Sequence, residues 1–150
     1  MRLKKYTDYA LRVLIYTGSV KGDKLASIKE ISEVFHISTN HLSKIVYQLG
    51  KMELIETVRG RSGGIRLAKA PEDINIGTVV RQMEEDFLLM ECFDRDTNQC
   101  VITPSCHLKH VLNEALSAFL AVLDQYTLQD ILANHAELRV LMDLDEGEEL

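Results

Sequence analysis

A chain of 150 residues, 46% hydrophobic and 27% charged, is long enough to bury one real core and too short for a second large domain. The formal charge of −6 hides a division: residues 1–70 hold 13 Lys and Arg against 6 Asp and Glu, a local +7, and residues 71–150 hold 4 against 17, a local −13. A basic half inside an acidic protein points to a polyanion met by the first half alone. No stretch approaches the run of about eighteen apolar residues that a membrane span needs, so a soluble, cytoplasmic protein without membrane contact is expected.

The opening MRLKKYTDYALRVLIY has a positive start, but Asp8 and Arg12 interrupt its apolar run, and it reads as helix, not as an export signal. Tyr9, Leu11, Val13, Leu14 and Ile15 give a first helix over about 6–18, before Gly18 and Gly22. Ser27 and Glu30 have the spacing of a capping box and open a second helix over 28–35 with Ile28, Ile31 and Val34 on one face. Ser38 can cap a third, whose Leu42, Ile45, Val46 and Leu49 keep helical spacing up to Gly50. Two short helices around a tight turn make a helix-turn-helix.

Two alternating segments, 54–58 and 65–67, flank the basic turn Arg59-Gly60-Arg61-Ser62-Gly63-Gly64 and predict a hairpin wing. With the apolar side of the third helix turned inward, Ser38, Thr39, Asn40, His41, Ser43, Lys44, Tyr47 and Gln48 are left outside, a set able to reach base edges and phosphates in a major groove. Arg59 and Arg61 at the wing tip can enter a narrow minor groove or lie on phosphate. Any one of these residues alone would be an ordinary solvated side chain; helix-turn-helix, basic wing and +7 together predict binding to double-stranded DNA.

Asn75 can cap a short helix through Val79, Val80 and Met83. A polar loop then carries Cys92, Cys100 and Cys106. Their C-x7-C-x5-C pattern fits neither structural zinc nor the C-x2-C runs of ferredoxins. An odd, clustered trio in a cytoplasmic chain is no disulfide staple, which leaves open a metal or cluster site, redox-active thiols, or inert cysteines. Cys106 falls at the expected start of a long helix, where the helix dipole favours negative charge. That helix places Leu108, Val111, Leu112, Ala115, Leu116, Phe119, Leu120 and Leu123 on one stripe. The stripe exceeds what a small domain can cover and predicts a homodimer on a palindromic site. Residues after 134, rich in Asp and Glu, read as a solvated or disordered tail. No nucleotide loop, catalytic-triad pattern or substrate-pocket signature points to an enzyme.

YTDYALRVLIY, the run NHLSKIVYQLGKMELIETVRGRSGGIRLAKAPEDINIG and the three-cysteine loop resemble the IscR and NsrR family of bacterial iron–sulfur transcription regulators over about residues 1–133, and within it the nitric-oxide-sensitive repressors. The resemblance implies a fold that is mainly α with a small β wing, a winged helix-turn-helix plus a long C-terminal dimerisation helix. It divides the chain into a DNA-binding domain at 1–72, a linker helix and cluster loop at 73–106, a dimerisation helix region at 107–133 and an acidic tail at 134–150. It implies an iron–sulfur cluster, [4Fe–4S], on Cys92, Cys100 and Cys106, with Asp8 of the partner subunit as fourth ligand. The histidine that IscR-type proteins carry three residues after the last cysteine is Lys109 here, with His107 and His110 on either side as alternative ligands. It further implies nitric oxide as the signal for a repressor of nitrosative-stress or nitrite and nitrate genes. The other reading is a repressor of the same fold without a cluster, switched by cysteine oxidation or by a partner protein.

Overall fold

The computed structural model describes residues 1–145. Helix α1 (Lys5–Ser19), α2 (Ile28–Phe35) and α3 (Thr39–Lys51) precede an antiparallel hairpin of β1 (Ile55–Val58) and β2 (Gly64–Leu67), then α4 (Ile76–Met83), α5 (His107–Leu123), α6 (Leu128–Ile131) and α7 (His135–Leu141). The expected fold is thus the observed one, helices with a single small sheet among the described residues.

Local sequence sets the element boundaries. The Ser27 hydroxyl accepts from the Glu30 amide, the Ser38 hydroxyl from the His41 amide, and the Asn75 side chain from the Thr78 amide, each satisfying a donor that the first helical turn leaves orphaned. The capping box at Ser27 is only half made: the Glu30 carboxylate turns to the Tyr16 hydroxyl, which donates to it at 3.3 Å. Burial, then Glu30, push the Tyr16 phenol up to about 12, so it stays a neutral donor.

Ala10, Val13 and Leu14 of α1, Ile31 of α2, and Leu42, Ile45 and Leu49 of α3 meet at the centre of one core with Ile74, Val79 and Val80. Each large aliphatic side chain buried there contributes about 1.5–3 kcal/mol. The hairpin pairs Ile55 with Leu67 and Val58 with Gly64, and Ala26 adds a bridge to Ile65. Gly60 turns the wing at φ 112°, a conformation that L side chains rarely adopt.

The acidic C-terminal segment differs from expectation. Over 135–141 it forms α7, Met142 is buried, Leu138 and Leu144 pack on the core, and Arg139 Nε donates to the Ser19 carbonyl at 2.7 Å, where α1 ends. Acidity dominates the composition of 134–150, but the apolar residues within it are spaced to dock one face, and burial of Leu138 and Met142 outweighs the charge. Residues 146–150, the most acidic part of the expected tail, lie outside the described residues.

Candidate DNA-reading face and cysteine loop

The candidate reading face is built on α3. Leu42, Ile45, Val46 and Leu49 are buried, and rotation by one helical face leaves Ser38, Thr39, Asn40, His41, Ser43, Lys44, Tyr47 and Gln48 exposed, as are Arg59 and Arg61 on the wing. These side chains are not equally free. Ser38 Oγ is engaged in capping, Ser43 Oγ donates to the Thr39 carbonyl, and Tyr47 lies under the Lys51 ammonium at 5.2 Å. On the wing, Arg66 is committed to Glu56 on the paired strand at 3.0 Å.

His41 is exposed but not isolated. Its ring meets Tyr6 edge-on at 5.8 Å and Tyr9 at 6.4 Å, which seats the start of α1 against the start of α3. Tyr6, Lys44, Gln48 and Gln82 line a groove beside α3. The sequence shows Tyr9 only as an apolar residue of the first helix and gives Tyr6 no role, although the two, three apart, share a helix face.

Asp8 sits in the first turn of α1, half-buried. Arg12 donates to both of its oxygens, Nε at 2.9 Å and Nη2 at 2.8 Å, the i,i+4 geometry that a helix presents. The arginine also lies over the rings of Tyr9 and Phe35, at 5.8 and 5.7 Å.

The cysteine loop is held by its own polar residues. The Asp94 carboxylate accepts from Thr97 Oγ1 at 2.8 Å and from the Asp96 amide at 3.0 Å, and these bonds hold its carboxyl below the usual range. Glu91 accepts from the Gln99 amide at 2.6 Å, which closes the loop across its neck. Asn98 bonds Thr103 and caps the Cys100 amide. Cys92 is buried in a short turn at Glu91–Phe93, Cys100 is exposed and Cys106 is half-buried, and all three are free thiols. Cys106 is the N-cap residue of α5 and makes no side-chain capping bond.

Among the described residues, no group of three or more His, Cys, Asp or Glu converges on one metal position. A cluster is a different test from a single ion, because each thiolate binds its own iron and the sulfurs need not meet at a point. Three soft donors on one loop fit such a cluster chemically. His107 and His110 lie in the first turns of α5, both exposed, and neither is drawn toward the cysteines by a hydrogen bond that the structure shows.

Helix α5 leaves an apolar stripe uncovered. None of its 17 residues is buried, and Leu108, Val111 and Val122 are 54%, 58% and 52% exposed. Its far end is anchored: the Asp124 carboxylate pairs with the Arg81 guanidinium, and the Asp124 carbonyl accepts from Asn75 Nδ2 at 2.8 Å. No helix among the described residues is long and apolar enough to cross a membrane.

Residues 3–134 match the Rrf2 family, described as "Iron-dependent Transcriptional regulator". The "HTH-type transcriptional regulator NsrR" of Oceanobacillus iheyensis is 59% identical over 146 residues, 97% of this chain and 99% of the relative. That of Bacillus subtilis is 55% identical over 146 residues, 97% of this chain and all of the relative. Among solved structures, the oxidized form of Staphylococcus aureus CymR superposes with a TM-score of 0.70 at 26% identity, over 89% of this chain and 97% of that one. T. potens IscR, at 24% identity, shares the fold with a TM-score of 0.72 over 93% of this chain and 91% of its own. The chain therefore belongs to the Rrf2 family of iron-dependent transcriptional regulators, and its role is regulation and not enzymatic catalysis.

Proposed function

We propose that the protein is a homodimeric repressor that binds palindromic operator DNA through α3 and the wing and senses nitric oxide through a [4Fe–4S] cluster. The observation that carries the proposal is the junction of three free thiols on one loop with α5, a helix on which no residue is buried. Cys92, Cys100 and Cys106 would hold the cluster, with Asp8 of the partner subunit as the fourth ligand. When bound, the cluster supplies an iron whose hard carboxylate ligand is more readily displaced than a thiolate by a small ligand such as nitric oxide.

Asp8 is suited to a reversible role. Its pair with Arg12 is open to solvent on both sides, with side chains 40% and 47% accessible, and such i,i+4 pairs are worth about 0.3–0.5 kcal/mol. Exchanging Arg12 for a ligand role therefore costs little, and the reverse exchange leaves the carboxylate satisfied. Asp8 shares the first turns of α1 with Tyr6 and Tyr9, whose rings meet His41 of α3, so a ligand pulling on Asp8 would act on the turns that seat α3. A shift of a few kcal/mol between two such arrangements changes operator occupancy by orders of magnitude. Asp8→Ala is expected to keep fold and dimer while lowering cluster retention or its coupling to DNA; unchanged iron content, nitric oxide response and operator affinity would refute the role.

Arg59 and Arg61 give an independent test of the DNA surface. Each phosphate neutralised adds about 0.9 to the slope of log affinity against log salt. Arg59→Ala and Arg61→Ala are expected to lower affinity and flatten that slope, measured by fluorescence anisotropy across a salt series. If both variants keep the wild-type slope and affinity, the wing does not touch DNA.

The free thiols also support the second reading, a repressor switched by cysteine oxidation or a partner protein. That reading predicts iron-free anaerobic protein whose DNA binding responds to peroxide or to the partner.

A further inference from the structure

Helix α1 has no capping side chain of its own. Its first turn is instead completed from the other side of the molecule. The Lys4 amide and the Thr7 hydroxyl both donate to the same oxygen, Glu84 Oε1, each at 2.7 Å. Glu84 and Thr7 are buried, so this is a carboxylate taken out of water and satisfied by the beginning of a helix about eighty residues away in sequence.

The position of Glu84 gives this contact a direction. It terminates α4, where its amide donates to the Val80 carbonyl at 2.9 Å, and a short loop from Glu85, turned where the Leu88 amide donates to Asp86 Oδ1, leads into the turn that holds Cys92. Lys4 adds a surface pair with Glu85 at 2.6 Å. On the other side of the contact, the same turns of α1 carry Tyr6 and Tyr9, whose rings seat His41 at the start of α3. Segment 84–92, α1 and the reading helix are thus joined by contiguous contacts inside one subunit.

We infer that Glu84 is a positioning residue that ties the segment entering the cysteine loop to the DNA-reading helix in cis, a route separate from any ligand supplied across a dimer. The inference rests on the DNA-reading part of the proposed function and on no bound metal.

Because both bonds use one oxygen, Glu84→Gln keeps an acceptor in place and Glu84→Ala removes it. Leu132→Ala, which removes a buried side chain packed at the opposite end of α1 beside Gly18, controls for general loss of stability. Hydrogen exchange is measured on the free protein without DNA or cluster, alongside thermal midpoints. The expected result is faster exchange over both 4–12 and 38–44 in Glu84→Ala, with Glu84→Gln near wild type and Leu132→Ala leaving 38–44 protected. Exchange at 38–44 that is no faster in Glu84→Ala than in Leu132→Ala overturns the inference. Operator affinity should fall about tenfold in Glu84→Ala and recover in Glu84→Gln, within the range that substitutions along a coupled network produce. Wild-type protein that fails to bind operator would sink the DNA-reading proposal, while the exchange result would still decide the clamp. Should Glu84→Ala not fold, Thr7→Val removes one of the two bonds with a side chain of the same shape, and the same comparison applies.

Discussion

Cys106→Ser is expected to separate folding from sensing. Serine is a better N-cap than cysteine, since its hydroxyl accepts from the amides of the first turn. Cys106 occupies the N-cap of α5 and makes no such bond. The variant should therefore be as stable as wild type or gain up to about 1 kcal/mol, seen as an unchanged or higher thermal midpoint. The same change removes a thiolate in favour of a poor ligand for iron. Cluster retention should be lost, with operator affinity falling more than about 100-fold, beyond the loss typical of substitutions that only touch a ligand's neighbours. Cys100, exposed in the loop, should behave alike as Cys100→Ser. Cys92 is buried, so its serine variant adds a desolvated hydroxyl and is the poorer probe. A Cys106→Ser protein that holds iron and binds operator like wild type would remove this cysteine from the ligand set.

Gly77→Ala is expected to destabilise the fold although alanine is the better helix former by about 1 kcal/mol. A Cβ at this position would collide with Asp124 Oδ1 and lie 2.8 Å from the Asp124 amide nitrogen and 2.9 Å from its Cα. The carboxylate could rotate away only by leaving Arg81, and the backbone atoms cannot yield without moving the end of α5 off α4. Overpacking of this kind costs about 1–3 kcal/mol. Chemical denaturation should report a lower midpoint, with hydrogen exchange raised along 75–83 and 120–128. An unchanged or higher midpoint would mean that the α4–α5 seam is loose and that α5 is not held at a fixed angle to the reading domain.

Much of this fold is legible because its signals are local. Ser27, Ser38 and Asn75 announce helix starts with a side chain that acts within three residues, and the apolar spacing in α3 assigns inside and outside without tertiary information. The wing is written in its glycines and alternation. Features set by distant contacts are not legible in that way. Glu84 reads as one of several acids after α4, and only the folded chain brings it to the Lys4 amide. The docking of α7 was hidden by acidity, since composition weighs every residue equally and burial weighs only the face that turns inward. The Asp8–Arg12 pair is within reach of the sequence, four residues apart on one helix, but two charges that interrupt an apolar run do not by themselves say which partner each one takes.

For the candidate site, residue chemistry was legible and arrangement was not. Three cysteines on a polar loop identify soft donors in any reading, whereas in the proposed dimer their relation to the α1 of the partner would depend on how two copies of α5 meet. The stripe of α5 argues for that meeting on area alone, because Leu108 and Val111 remain more than half exposed in a single chain.

Whether a dimer of this chain carries a nitric-oxide-sensitive cluster is decided by native mass spectrometry of protein purified without oxygen. The expected result is a dimer with the mass of four iron and four sulfide per subunit, altered after exposure to nitric oxide. A dimer without iron, or with zinc, whose mass is indifferent to nitric oxide would contradict it and shift the mechanism to the thiols themselves.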